Sequence, residues 1–235
     1  MLNNIEKNVK DNGVRLFLID IDGTLKDLAC EHIEALKEMI RMREKWNCKI
    51  RYEIALALNR LFMVFVKACI FPTNKKMQTI LCYINSVMFG EKFVDFKDEY
   101  FSFYDSIRIL FNDSHQVLSE IERLGAKYIL VSKNEQNINF FGCKNVFEPS
   151  LILICNTSGN KLDVLKRAIK FANTSEVKKI SIDQIVVMGD NFWDDIVPAM
   201  KLGTRVLWVN KYRSKSKRIC NYILRILYKK AMGSK

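Results

Sequence analysis

The chain is poor in the residues that usually organise small metal sites and hydrolytic triads. It has two histidines, His32 and His115, so a multi-histidine metal centre is excluded and a Ser-His-Asp triad is hard to place. The seven cysteines, at 30, 48, 69, 82, 143, 155 and 220, form no C-x-x-C pair. Their odd number and irregular spacing indicate neither a disulfide framework nor a zinc ribbon, and a reducing, cytoplasmic setting is expected. Three prolines and nine glycines in 235 residues exclude collagen-like, proline-rich and most low-complexity readings. Acidic residues are missing from 210–235, which carries nine Lys or Arg. The formal net charge of +12 therefore sits mostly in a basic tail, and residues 1–209 are nearly balanced.

Long uninterrupted apolar runs are also scarce. The first run, Leu16–Ile19, is too short for a signal-peptide core. The stretch from Ile54 to Phe71 has the length of a membrane span. Asn59, Arg60 and Lys67 interrupt it and Pro72 follows, which predicts a buried helix instead.

What is present is an ordinary globular composition, 49% hydrophobic and 27% charged, at a length that allows one domain with an insert or two small domains. The run at Arg15–Ile19 predicts a buried parallel strand ending in Asp20. From about residue 31 to residue 108 the patterns are helical. After Asn112 helices and strands alternate. A helical stripe ends at Gly125, and Ala126–Val131 is a strand followed by Ser132. Leu151–Cys155 is a further apolar run, and Lys161–Ala172 an amphipathic helix. Gln184–Met188 leads to Gly189-Asp190, a short helix runs from Asp195 to Gly203, and Thr204–Val209 closes the series. The expected class is α/β, with a Rossmann-like parallel sheet and an inserted helical domain. The expected partition is a core of residues 1–25 and 109–210, a helical insert at 26–108, and a basic tail at 211–235. Ligands of such sheets lie at the carboxyl ends of the strands. Asp20, Ser132 and Asp190 stand at three of those ends.

Two acidic constellations carry chemistry. In Asp20-Ile21-Asp22-Gly23-Thr24, one carboxylate can attack an electrophile while the other moves a proton to or from the reacting group. Gly23 permits the tight turn that aims Asp22 back at the site. In Gly189-Asp190-Asn191-Phe192-Trp193-Asp194-Asp195, carboxylates at a strand end facing another carboxylate require a cation or a proton. A hard divalent ion, most simply Mg²⁺, meets that need. Acids at a helix N-terminus are also favoured by the helix dipole alone, and this applies most to Asp194 and Asp195.

The segments Leu-Phe-Leu-Ile-Asp-Ile-Asp-Gly-Thr-Leu and Met-Gly-Asp-Asn-Phe-Trp-Asp-Asp-Ile resemble the first and last motifs of the haloacid dehalogenase (HAD) superfamily of phosphohydrolases. The resemblance spans about residues 14–209. The insert after the first motif resembles the C1-type helical cap of phosphoglycolate-phosphatase-like and nucleotidase-like members. The resemblance implies Asp20 as the nucleophile that becomes an aspartyl-phosphate. It implies Asp22 as the acid/base, with its backbone carbonyl on the metal. Ser132 is implied as a phosphate-binding hydroxyl, Lys161 as the cation over nucleophile and phosphoryl group, and Asp190 as a metal ligand. Asp195 matches the second acid of the last motif, with Asp194 as competitor; Lys166 is an alternative to Lys161. The second motif carries Lys133 where many relatives place the polar residue that here follows as Asn134.

The resulting expectation is a Mg²⁺-dependent phosphatase of a small phosphorylated metabolite. Asp22 separates it from the dehalogenase branch, which lacks this acid because halide leaves without a proton. The alternatives are a nucleic-acid-associated protein or end phosphatase using the basic tail, disfavoured by the balanced body, and a phosphomutase on the same site. Phe89, Phe93, Phe96, Tyr100, Phe103 and Tyr104 form an aromatic series at helical spacing, expected to be the core of the insert. In the tail, Lys217–Ala231 can form a helix with apolar residues beside basic ones, suited to weak contact with an anionic membrane. Substrate and oligomeric state stay open.

Overall fold

The computed structural model describes residues 1–42, 53–59, 74–134, 137, 153–155, 160–175 and 179–209. In chain order the elements are α1 (Leu2–Asn12), β1 (Leu16–Asp20), α2 (Leu28–Arg41), helical residues 53–59, α3 (Asn74–Phe89), α4 (Phe93–Tyr104) and α5 (Ser114–Arg123). They continue with β2 (Lys127–Ser132), β3 (Leu153–Cys155), α6 (Lys161–Ser175), β4 (Ile185–Gly189), α7 (Val197–Leu202) and β5 (Arg205–Trp208). A single 3₁₀ turn spans Ile182–Gln184 and a π turn spans Phe192–Ile196.

All five residues of β1 are buried, as expected for a strand covered on both faces. It pairs in parallel with β2 on one side and β4 on the other. β3 lies outside β2 and β5 outside β4, giving a five-stranded parallel sheet in the order β3-β2-β1-β4-β5. The strands alternate with helices along the chain, so the α/β, Rossmann-like reading holds. The carboxyl end of β1 sits at the centre, where the strand order reverses direction, which is where such sheets place their ligands.

The strand ends differ slightly from the apolar runs. Ala126 is not the start of β2, because its amide bonds back to the Ile121 carbonyl at the end of α5. Gln184 is held in the 3₁₀ turn by a capping box with Ser181. At the other end, pairing extends into the polar residue: Ser132 pairs with Cys155, and Gly189 with Trp208. The helix expected from Asp195 begins instead at Val197, after the π turn. The first twelve residues carry no strong periodic signal, yet α1 forms there and buries Ile5 against Val117, Leu118 and Ile121. Gly13 ends it in the left-handed conformation (φ 62°), which glycine adopts at little cost.

The described residues fall into two compact units, the first comprising Met1–Asp27 and Leu110–Val209, the second Leu28–Ile109. In the first, alternate residues of β1 serve opposite faces. Phe17 and Ile19 pack with the α1 and α5 side, and Leu16 and Leu18 with Val164, Leu165 and Ala168 of α6. By the same alternation Asp20 belongs to the α6 face.

In the second unit α2 packs on α4 and α4 on α3. Its core contains Ile33, Leu36, Met39, Cys82, Phe96, Tyr100 and Tyr104, with Phe89 and Phe93 packed against it. The rings of Phe89 and Phe96, and of Tyr100 and Tyr104, stack at 5.8 and 5.7 Å. The aromatic series is thus largely interior packing. A polar chain runs through this core. The Tyr100 hydroxyl lies 2.6 Å from His32 Nδ1, and His32 Nε2 lies 2.9 Å from Asn59 Oδ1. Asn59 in turn donates to Asn85 Oδ1 at 2.8 Å.

Among the described residues, Cys30 and Cys82 are not disulfide-bonded, and burial pushes the Cys82 thiol up to about 12. No described helix is long and apolar enough to cross a membrane. Most of the Ile54–Phe71 run, and the basic tail with its Lys217–Ala231 segment, lie outside the described residues.

Candidate active site

The turn after β1 is built around one carbonyl. Ile21 O accepts from the amides of Thr24, Leu25 and Lys26 at 3.3, 2.9 and 2.9 Å. The Gly23 amide donates to the Lys26 carbonyl at 2.9 Å. Gly23 has φ 88°, a conformation that side-chain-bearing residues rarely adopt. This knot fixes Asp20 and Asp22 on either side of Ile21.

Asp20 is buried at the strand end. Its Oδ1 accepts from Lys161 Nζ, and Thr24 Oγ1 stands 3.5 Å from its Oδ2. Lys161 is the first residue of α6 and is 3% exposed. Its ammonium also meets Asp195 Oδ1 at 3.2 Å and the Val131 carbonyl at 3.2 Å. The helix start therefore delivers one cation onto a carboxylate from β1, a carboxylate from the loop after β4, and the backbone of β2.

The loop after β4 is shaped by Asn191, whose Oδ1 accepts from the amides of Trp193 and Asp194 at 3.0 and 3.1 Å. Asp195 Oδ2 accepts from the Asn191 amide at 3.0 Å, so this carboxylate is fixed at both oxygens. Gly189 makes room for it: a Cβ there would lie 2.4–2.5 Å from Asp195 side-chain atoms. Oxygens of Asp20, Asp190 and Asp195 all come within 4.8 Å of one another. Asp194 points elsewhere and pairs with Lys133 at 3.2 Å.

Burial, and then the charges of Asp195, Asp190 and Asp22, push the Asp20 carboxyl well above its ordinary range, against the lowering pull of Lys161. Burial opposes the charged form of Lys161, yet Asp20 and Asp195 together hold its ammonium above the usual lysine range. Three carboxylates and one ammonium leave two negative charges in a largely buried site. An all-oxygen donor set with that excess fits a hard divalent cation, Mg²⁺ being the simplest.

Ser132 ends β2 and is buried. Its Oγ accepts from the Asn134 amide at 3.0 Å and from Asn137 Nδ2 at 2.9 Å. Among the described residues its own proton meets only a 3.5 Å contact with the Asn134 carbonyl, so it can be given to an anionic oxygen.

The structure thus brings Asp20, Lys161, Asp190 and Asp195 together, with Asp22 and Ser132 joined to each other through Asn137. Lys26 and Asn137 join the site as well, although neither belongs to the sequence motifs. Lys26 Nζ donates to Asp22 Oδ1 at 3.0 Å and to Asn137 Oδ1 at 3.1 Å. Asn137 Nδ2 donates to Asp22 Oδ2 at 3.0 Å. Spacing held a signal for Lys26 alone, a lysine four residues past Asp22 across a glycine turn. Asn137 is 111 positions from Lys26, and only the tertiary fold joins them.

No protein-family model matches the sequence, and no curated protein matches it significantly. Solved structures do match in three dimensions. YfnB of Bacillus subtilis, described as a HAD-hydrolase and crystallised with magnesium, has 13% identity and a TM-score of 0.53, over 84% of this chain and 89% of that one. A hydrolase from Streptococcus pneumoniae TIGR4 gives 18% identity and 0.53, over 86% and 97%. A haloacid dehalogenase-like hydrolase from Bacteroides fragilis gives 17% and 0.50, over 82% and 86%. Identities this low speak for shared architecture, and the chain accordingly has the haloacid dehalogenase-like hydrolase fold.

Proposed function

We propose that the chain is a phosphatase of the HAD superfamily, acting on a small phosphorylated metabolite through an aspartyl-phosphate on Asp20. The observation that carries the reading is the Lys161 ammonium held between Asp20 and Asp195 at the carboxyl edge of a parallel sheet, with Asp190 beside them. Phosphoryl transfer needs an in-line nucleophile and positive charge over the equatorial oxygens. Asp20 Oδ supplies the first and the Lys161 ammonium part of the second. The Ser132 hydroxyl donates to a phosphoryl oxygen. Asp22 gives a proton to the departing oxygen and then takes one from the water that hydrolyses the intermediate.

Asp20, Asp190 and Asp195 would hold Mg²⁺, with the Asp22 backbone carbonyl as a further oxygen donor. When bound, the ion neutralises the excess carboxylate charge and screens the incoming phosphate from it. The presence of Asp22 favours an alkoxide leaving group over halide. The basic tail adds, on this reading, weak and salt-sensitive contact with anionic lipid, without a part in catalysis.

The experiment is a phosphate-release screen over phosphorylated sugars, nucleotides and lipid precursors with Mg²⁺, comparing the native chain with Asp20→Asn. The variant keeps the shape of Asp20 and removes the attacking charge. Release by the native chain, reduced to below a few per cent by Asp20→Asn, is the expected result. Equal release by both would remove the covalent mechanism.

A further inference from the structure

Lys26 is a lysine with almost no contact with solvent, 2% exposed, and Asn137 is fully buried. Both close on Asp22. Lys26 Nζ takes Asp22 Oδ1 and Asn137 Nδ2 takes Asp22 Oδ2, at 3.0 Å each. The two clamp residues are tied to each other at 3.1 Å, and Asn137 is tied to Ser132 Oγ at 2.9 Å. A carboxylate gripped at both oxygens by donors that are themselves fixed has lost its torsional freedom.

The backbone reinforces the grip. Lys26 is bridged to Asp22 on one side and to Leu110 on the other, and its amide bonds to Ile21 O. Burying an ammonium is costly unless it is paired. A methionine or leucine would fill the same space without that cost, so the charge at position 26 calls for a role beyond packing.

We propose that Lys26 and Asn137 are positioning residues for Asp22, holding its carboxylate as the base of the dephosphorylation step. The inference rests on the aspartyl-phosphate reading above. In that step a water oxygen bonds to phosphorus and the Asp20 Oδ–P bond breaks. The water proton passes to Asp22, and Asp20 returns as a carboxylate as inorganic phosphate leaves. A base must stand within hydrogen-bond reach of the proton it takes. The clamp supplies that placement. Formation of the aspartyl-phosphate from an aryl ester with an acidic phenol does not need it, because nitrophenolate leaves without a proton.

The test is stopped-flow release of p-nitrophenol from p-nitrophenyl phosphate with Mg²⁺, together with acid-quench trapping of phosphorylated protein. The native chain is compared with Lys26→Met, which keeps the length of the side chain and removes the ammonium. Lys26→Met should show a burst of nitrophenol at near-native rate, then a steady state slower by about tenfold to a hundredfold, with phosphorylated protein accumulating. Asn137→Ala removes the other arm and should show the same pattern; it carries the test if Lys26→Met does not fold. A purely structural role would slow burst and steady state together. That outcome, or unchanged kinetics in a folded variant, overturns the proposal while the phosphatase reading stands. A native chain that neither releases phosphate nor becomes phosphorylated overturns that reading and this inference with it.

Discussion

At the scale of single residues, the site depends on how closely side chains approach the backbone. Gly189 is the sharpest case. It has no unusual φ, and its reason is the Asp195 carboxylate, which occupies the place of a side chain. Gly189→Ala should therefore displace Asp195 and open the acidic cluster. Mg²⁺ affinity, read by calorimetric titration, is expected to fall by about tenfold to a hundredfold, with the far-ultraviolet spectrum unchanged. Native affinity in Gly189→Ala would show that Asp195 does not contribute to the ion. Much of this scale was visible in the chain itself. Asp20, Ser132 and Asp190 each stand where an apolar run gives out and the strand stops. The motif's pattern favours Asp195 with Asp194 as competitor, and what parts them is the π turn capped by Asn191 and Lys133 drawing Asp194 away.

At the scale of elements, the buried polar chain in the helical unit is the feature with a measurable signature. Asn59 Oδ1 also accepts from Asn85 at 3.1 Å, so it faces a proton on His32 Nε2, and His32 Nδ1 accepts from Tyr100. Neutral imidazole satisfies both ends. Burial pushes His32 down from 6.5 to about 4, opposed only by its bond to Asn59. The unfolded chain binds a proton at His32 near pH 6.5 and the folded chain does not until about pH 4. Stability from this group is complete above pH 6.5 and is lost as pH falls from 6.5 towards 4. The loss amounts to about 3 kcal/mol over the window. Hydrogen exchange of α4 amides, corrected for intrinsic rates, should report it. In His32→Leu the pH dependence should be flat, from a lower starting stability. A native profile flat through the window would contradict the assignment.

The same scale explains which elements could be foreseen. β1, β2 and β4 announce themselves through continuous apolar runs. α1 does not, because its apolar face is only Leu2, Ile5 and Val9 among polar neighbours, and its stability comes from packing on α5. Lys26 stands out in the sequence only by its spacing from Asp22; its burial and its bond to Asn137 come from the fold.

At the scale of the whole molecule, the excess negative charge of the site should couple to stability. A ligand that binds only the folded state at 100 times its dissociation constant stabilises by about 2.7 kcal/mol. For a chain of this size that is about 5–10 °C in melting temperature. Thermal unfolding of the first unit should thus rise with Mg²⁺ and return on chelation, and Asp190→Asn should abolish most of the rise. A melting curve indifferent to Mg²⁺ would argue against ion binding at the cluster.

The turn after β1 also bears on how such a chain can change over time. Lys26 bridges to Leu110, and Leu25 O accepts both the Phe111 amide at 2.9 Å and the Ser114 hydroxyl at 2.7 Å. The chain therefore departs from the first unit and rejoins it through residues that are hydrogen-bonded to one another. Everything between is, topologically, a loop whose closure is enforced at its two ends. Since closure entropy grows only slowly with loop length, that clip will accept inserts of very different size without disturbing Asp20 or Asp22. The excursion at Leu28–Ile109 is in this sense a module attached through a single pair of joined strands of chain, and a change in its length should leave Asp20 and Asp22 where they are.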